Sequence, residues 1–122
     1  MREADIQNAI RLRVAKDNKA VIFRVNVGEG WTGDRFTKNA DGSITIHNPR
    51  RLRTGLPVGF SDLFGVTRGG RAIFIEVKGP NGKPSEEQKR LLHAMQIIGA
   101  LAGVAKTVEE AAGIIDGRSV DL

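Results

Sequence analysis

The sequence lacks cysteine altogether and contains only two histidines in 122 residues. The absence of cysteine excludes a disulfide scaffold, thiolate metal sites and cysteine nucleophiles. Two histidines are too few for a histidine-rich zinc site. No apolar run approaches the roughly 18 residues that a membrane span requires, and residues 1–5 lack the apolar segment of a signal peptide. We therefore expect a cytoplasmic protein with no membrane segment.

Positive charge is unevenly distributed along the chain. The 19 Lys and Arg residues outnumber the 14 Asp and Glu residues, which gives a net charge of +5. Residues 1–90 hold 17 basic and 10 acidic side chains, for +7, whereas residues 91–122 hold 2 and 4, for −2. Twelve of the cations are arginines, whose planar guanidinium matches phosphate oxygens. This bias favours phosphate recognition over a generic basic surface.

The apolar periodicity predicts an α/β fold with the core order αβββαβ, a mixed sheet flanked by helices and a short terminal helix. Residues 1–122 would form a single domain. The predicted elements are a helix over 3–16, strands over Ala20–Val27, Asp62–Thr67 and Ala72–Lys78, a helix capped by Ser85, a strand over Val104–Lys106, and a helix after Thr107. Residues 28–42 are predicted as a loop, 43–47 as a short strand, and 48–59 as a basic loop.

Two acidic residues and a lysine are predicted to converge at one end of the hairpin. Side chains alternate along a strand, so Glu76 and Lys78 share a face. If the hairpin turns at Arg68–Gly70, Asp62 lies opposite Glu76. The alternative is an ordinary surface pair of Glu76 and Lys78, because a Glu-x-Lys triplet is common.

Two converging carboxylates repel each other unless a cation joins them, and hard oxygen ligands suit Mg²⁺ or Mn²⁺. A metal held there polarises a phosphate and activates a water molecule. The lysine can stabilise negative charge on the attacking water or on the transition state. The catalytic interpretation of this pattern is therefore a metal-dependent reaction at a phosphate group, and the surface pair stays open as the alternative.

Several segments together resemble the VRR-NUC family of the PD-(D/E)XK nuclease superfamily. They are the helix starting Glu3-Ala-Asp-Ile-Gln7, the strand Phe23-Arg-Val-Asn-Val-Gly28, then Gly59-Phe-Ser-Asp-Leu63, Phe74-Ile-Glu-Val-Lys-Gly79, Ser85-Glu-Glu-Gln88 and the tail from Gly99. The likeness spans nearly the whole chain. It implies the restriction-endonuclease-like core, which agrees with the order read from periodicity. Ser61 departs from many relatives, which carry proline there.

The resemblance implies specific roles for residues of this chain. Asp62, Glu76 and the backbone carbonyl of Val77 would bind metal, and Lys78 would be the catalytic lysine. Gln88 would be the glutamine near the site, unless it only completes a capping box. Glu3 would be the acid of the first helix, binding metal directly or through water, unless it only complements the helix dipole.

Basic residues outside this set are predicted to contact DNA. Arg50, Arg51 and Arg53 stand beside two prolines and are typical of a phosphate clamp, with a solvated loop as the alternative. Arg24 and Lys89 are further predicted contacts. The sequence 28–33 fits G-x-G-x-x-G, but residues 34–42 lack the apolar period of a helix, so no nucleotide cofactor is predicted.

These observations favour a Mg²⁺-dependent DNA endonuclease, with Mn²⁺ substituting for Mg²⁺. The resemblance suggests replication or repair in a bacterial or phage-infected cell, with branched substrates such as four-way junctions. A symmetric junction needs paired cuts, so a homodimer is expected. The alternatives are a flap or duplex nuclease, a non-catalytic nucleic-acid-binding module of the same fold, and a structural subunit.

Overall fold

The computed structural model describes residues 2–25 and 28–118. The chain divides into two compact units: unit 1 comprises residues 1–25 and 58–122, and unit 2 comprises residues 26–57. Unit 2 is thus an insertion in the sequence of unit 1. The prediction of one nuclease domain over residues 1–122 stays a prediction.

Three helices and eight strands are formed by the described residues. In chain order they are α1 Glu3–Asp17, β1 Ala20–Arg24, β2 Glu29–Thr32, β3 Arg35–Lys38, β4 Ile44–His47, β5 Arg50–Arg53, β6 Leu63–Thr67, β7 Ala72–Val77, α2 Glu86–Ile97, β8 Leu101–Ala105 and α3 Val108–Ile115. No helix in the described ranges is long and apolar enough to cross a membrane.

Unit 1 contains a four-stranded mixed sheet in the order β1-β6-β7-β8. The first three strands pair antiparallel, and β7 pairs parallel with β8. A parallel neighbour requires a crossover connection, and α2 provides it. The elements of unit 1 follow the predicted order αβββαβ with a final helix, which confirms the predicted fold class.

Helices cover both faces of this sheet. On one face, α1 and α3 pack their buried residues Ile10 and Ile114 against Ile73 and Ile75 of β7. On the other face, Leu92 of α2 packs with Phe74 and Ala102. Successive side chains of β7 therefore enter different cores, because alternate residues of a strand face opposite sides. Glu76 shares the α2 face with Phe74.

Unit 2 forms two separate two-stranded antiparallel sheets, β2 with β5 and β3 with β4. The prediction of a loop over 28–42 is therefore wrong, since this segment contains β2 and β3. The prediction of a basic loop over 48–59 is wrong in part, since this segment contains β5. Glycine, asparagine and aspartate suggested loops there, but strand pairing across the unit overrides local propensity. The short strand predicted over 43–47 is confirmed as β4.

The remaining predicted boundaries differ by a few residues. The first strand ends at Arg24, and residues 26 and 27 of its predicted span lie outside the described residues. The last strand begins at Leu101, earlier than predicted, because Gly99 with φ of 100° ends the helical region and Ala100 bonds back to Met95. Strand β8 thereby pairs with β7 from Ile73 to Val77.

Candidate active site

Asp62 and Glu76 come together at one end of the β6–β7 hairpin. The strands pair Leu63 with Ile75, so the next position along brings Asp62 opposite Glu76 on the α2 face of the sheet. This is the register predicted from the hairpin turn. The carboxyl group of Asp62, directly before β6, and that of Glu76 in β7 therefore share one small region at the end of the sheet.

Asp62 is fixed by backbone contacts on both of its neighbouring strands. Its carboxylate oxygen Oδ2 accepts a hydrogen bond of 2.9 Å from the Val77 amide. Its own carbonyl accepts a bond of 2.8 Å from the Val25 amide. The side chain is half-buried and occupies a defined position at the end of β6. One carboxylate oxygen is thus engaged, and the side chain is held towards β7.

Glu76 is buried to 1% exposure, and its Oε2 has no hydrogen-bond partner. Among the residues described, it is the only buried side-chain oxygen or nitrogen in this condition. Burial, followed by the hydrogen bond and charge of Asp62, raises the pKa of Glu76 to about 9, and the positive charge of Lys78 opposes this rise. A buried, unsatisfied carboxyl oxygen costs stability, so its retention suggests a ligand.

A hard divalent cation fits this donor set. It would supply the missing partner of the Glu76 oxygen and remove the repulsion between the two carboxylates. The N–H and C=O groups of a strand residue lie on the same edge of the strand. The Val77 carbonyl therefore lies on the edge of β7 that faces Asp62, which suits it as a third oxygen ligand.

Lys78 follows the last residue of β7 and is half-buried. Its backbone amide donates to the Ala105 carbonyl at 3.1 Å, which extends the pairing with β8 by one residue. By strand alternation its side chain belongs to the same face as Glu76. Its positive charge lowers the pKa of Glu76 and so opposes the effect of burial.

Gln88 lies in the first turn of α2 and completes a capping box. Its side-chain Oε1 accepts a hydrogen bond of 2.8 Å from the Ser85 backbone amide, and its backbone amide donates to Ser85 Oγ at 3.1 Å. The capping interpretation is therefore confirmed. Because α2 covers the face of the sheet that carries Glu76, the role of Gln88 near the carboxylates stays a prediction.

Gly59 packs the segment leading to Asp62 against the start of α2. Its φ is 88°, and a Cβ atom built on it would lie 2.6 Å from the Glu87 carbonyl carbon and 2.9 Å from the Gln88 nitrogen. Two residues further on, the buried Ser61 donates its hydroxyl to the Leu63 carbonyl at 3.0 Å. The close approach of Gly59 to α2 and the hydrogen bond of Ser61 together set the path of the backbone that leads through Asp62 into β6. The requirement for glycine is visible only in the structure.

We expect Gly59→Ala to destabilise unit 1 by about 2–4 kcal/mol, because it adds a left-handed backbone penalty to a clash with helix backbone. Gly70→Ala is the matched control, since Gly70 has φ of 89° and nothing within 4 Å of a built Cβ. Chemical denaturation of both variants measures the difference. An equal loss of unfolding free energy in the two variants would mean that the packing of Gly59 against α2 contributes nothing to stability.

Glu3 is exposed as the first residue of α1. Within residues 2–25 and 28–118, no group of three or more His, Cys, Asp and Glu side chains is gathered closely enough to hold a metal. The acidic site is thus a pair, and the predicted contribution of Glu3 stays a prediction. Its position in the first helical turn suits the helix dipole.

The predicted DNA-contacting residues occur in both units. In unit 2, Arg50, Arg51 and Arg53 are exposed residues of β5, paired with the carboxylates of Asp34 and Glu29. These carboxylate partners were not anticipated from the sequence, because they pair across strands that composition alone did not indicate.

In unit 1, Arg24 is exposed at the end of β1 opposite Leu63, on the face of the sheet away from Asp62 and Glu76. Lys89 is half-buried on α2 and forms an ion pair of 3.4 Å with Glu86. The structure does not bring Arg24 to the carboxylate pair.

Comparison with known proteins agrees with the fold of this chain. The family model of the VRR-NUC domain matches residues 1–109, and the chain therefore belongs to the VRR-NUC domain family, a family of nuclease type. A solved structure described as a VRR_NUC domain superposes with a TM-score of 0.61 at 18% identity, covering 96% of this chain and 97% of the other. At this identity the likeness concerns the fold. A search of curated protein sequences finds no match.

Proposed function

We propose that this protein is a metal-dependent DNA endonuclease that hydrolyses phosphodiester bonds. The observation that carries the proposal is the buried Glu76 oxygen without a partner, opposite Asp62 at the end of a hairpin. A binding module or structural subunit has no use for two acidic groups that repel phosphate. Membership of a nuclease-type family supports the same conclusion.

Asp62, Glu76 and the Val77 carbonyl would hold Mg²⁺, with Mn²⁺ as a substitute. A bound cation supplies Lewis-acid polarisation of the scissile phosphate. The chain's own contribution is to fix the two carboxylates: the Val77 amide orients Asp62, and burial between sheet and helix confines Glu76. The low-dielectric setting strengthens their attraction for a cation.

Lys78 would stabilise the negative charge that develops when a water oxygen attacks phosphorus in line with the leaving oxygen. One P–O bond forms and the opposite P–O bond breaks, which leaves a phosphomonoester and a hydroxyl end. Gln88 would orient water or phosphate with its side-chain nitrogen, while its oxygen caps α2. Lys78 would thus stabilise charge, and Gln88 would position the reacting groups.

DNA would be held by Arg50, Arg51 and Arg53 of unit 2 and by Arg24 and Lys89 of unit 1. We propose branched DNA as the substrate and a homodimer as the active form, because a four-way junction is symmetric and requires two coordinated cuts. The setting would be replication or repair in the cytoplasm of a bacterial or phage-infected cell.

A cleavage assay on a labelled four-way junction, a flap, a duplex and a single strand tests this substrate class. We expect paired nicks on the junction with Mg²⁺ or Mn²⁺ and none with EDTA. Cutting confined to flaps or duplexes would preserve the chemistry and contradict the junction. Tight binding with every substrate left intact would contradict the nuclease and favour the binding module.

A further inference from the structure

One face of the β2–β5 pair combines a tryptophan with charged residues. The register places Trp31 opposite Arg51 and Glu29 opposite Arg53. Directly opposed residues of an antiparallel pair share a face, and alternate residues of one strand do too. We call these four residues the Trp31 face. It lies wholly within unit 2.

Trp31 is 57% exposed, which is unusual for the largest apolar side chain. The Arg51 guanidinium lies over its ring, 5.4 Å from the ring centroid. This cation–π contact orients the indole without burying it. An exposed, oriented aromatic ring beside a cation is the arrangement on which unstacked nucleobases pack.

Glu29 forms ion pairs with both arginines of this face. Its Oε2 contacts Arg51, and its Oε1 lies 3.2 Å from the Arg53 Nε. One carboxylate thus holds two guanidinium groups in position. A phosphate has the same charge type and the same oxygen geometry for guanidinium donors. Glu29 therefore occupies the place that a backbone phosphate would take.

We propose that the Trp31 face binds single-stranded DNA. A base stacks on Trp31, and a backbone phosphate replaces Glu29 between Arg51 and Arg53. The choice of DNA as the polyanion rests on the proposed nuclease function, whereas the contacts come from unit 2 alone. In the unbound protein Glu29 screens the two arginines, so binding proceeds by exchange of one anion for another.

Charge favours DNA over a second copy of this chain as the occupant. With two arginines and one glutamate, the Trp31 face has a net charge of +1. Two such faces repel each other, whereas each attracts a polyanion. Unpaired nucleotides, rather than a continuous duplex, offer the free base faces that stacking requires. Branch points and flaps contain such nucleotides.

Tryptophan fluorescence provides a direct test, because Trp31 is the single tryptophan of the chain and tyrosine is absent. The wild-type protein is titrated with oligothymidylate in EDTA, so that no cleavage occurs. We expect saturable quenching of Trp31 emission, weaker as salt increases because phosphate contacts release counterions. Titration with a fully paired duplex should quench the emission less.

Variants are compared by the anisotropy of a fluorescein-labelled oligothymidylate. Trp31→Ala should bind about 5- to 150-fold more weakly, the range for loss of base stacking, and Trp31→Phe should retain part of the affinity. Glu29→Gln should bind about 3- to 10-fold more tightly, because both arginines are released from their pairs. Asp41→Asn is the matched control, since Asp41 bonds to Ser43 and pairs with no arginine described.

Three results would overturn the proposal: binding without quenching, equal affinity of Trp31→Ala and wild type, or equal gains from Glu29→Gln and Asp41→Asn. Emission that depends on protein concentration alone, with no response to oligothymidylate, would assign the face to self-association and also overturn it. Because EDTA is present throughout, these outcomes are independent of cleavage. A protein that binds here but never cuts would contradict the nuclease function only.

Discussion

The metal-free Glu76→Gln protein is expected to be more stable than wild type above neutral pH and to cleave DNA far more slowly. Folded Glu76 has its pKa raised to about 9 from 4.5. When the pKa of a carboxyl group is higher in the folded than in the unfolded state, the folded protein is most stable below the unfolded-state pKa. This stability is lost as the pH rises to the folded-state pKa. Wild type should therefore lose stability between about pH 4.5 and 9.

Glutamine is similar in shape and cannot ionise, so this loss should disappear in the variant. At about pH 8 we expect Glu76→Gln to gain about 2 kcal/mol, or roughly 5–10 °C in Tm. Near pH 4 the two proteins should be nearly equal. Mn²⁺ should raise the Tm of wild type only, because the variant has lost a charged ligand.

Thermal unfolding at several pH values, in EDTA and in Mn²⁺, measures these effects. Glu109→Gln is the matched control, an identical change at an exposed position in the first turn of α3. It should follow wild type at every pH. If Glu76→Gln were less stable than wild type throughout the range, the raised pKa would not describe the folded protein.

Lys78→Met is expected to lower the cleavage rate by about 10²–10⁴-fold, the scale of losing a group that stabilises transition-state charge. The methionine chain keeps an unbranched apolar stem at this half-buried position. Metal binding should persist and strengthen slightly, because removal of a positive charge leaves the carboxylates more attractive to a cation.

Single-turnover cleavage and Mn²⁺ titration together separate chemistry from binding for this variant. Lys16→Met, which removes an exposed lysine from the last turn of α1, controls for the change in net charge. A parallel loss of metal affinity and rate in Lys78→Met would show that the lysine organises the site. Unchanged cleavage would remove Lys78 from the catalytic set.

The carboxylate pair could be predicted because its signals are local. The turn at Arg68–Gly70 sets the hairpin register, and the register sets Asp62 opposite Glu76. The capping box at Ser85 is equally local and gave the start of α2. The burial of Glu76 could not be predicted, since it depends on how α2 lies across the sheet. The same holds for Gly59, whose contact is with helix backbone.

Three of the four strands of unit 2, β2, β3 and β5, were missed because they are short and their composition is typical of loops. Residues such as Glu29, Gly30 and Thr32 have low or mixed strand propensity, and the two sheets of this unit are almost entirely exposed. No apolar alternation marks a strand that has no core to face. The pairing of Arg51 with both Trp31 and Glu29 is a cross-strand property and has no sequence signal.

Metal-dependent cleavage by wild type, Glu76→Gln and Glu109→Gln, measured side by side on one labelled branched DNA, is the most direct test of a two-carboxylate nuclease site. We expect cleavage by wild type and Glu109→Gln in Mg²⁺ or Mn²⁺, no cleavage in EDTA, and a loss of at least about 10³-fold in Glu76→Gln. Cleavage by Glu76→Gln at the wild-type rate, or cleavage that persists in EDTA, would contradict a two-carboxylate nuclease site.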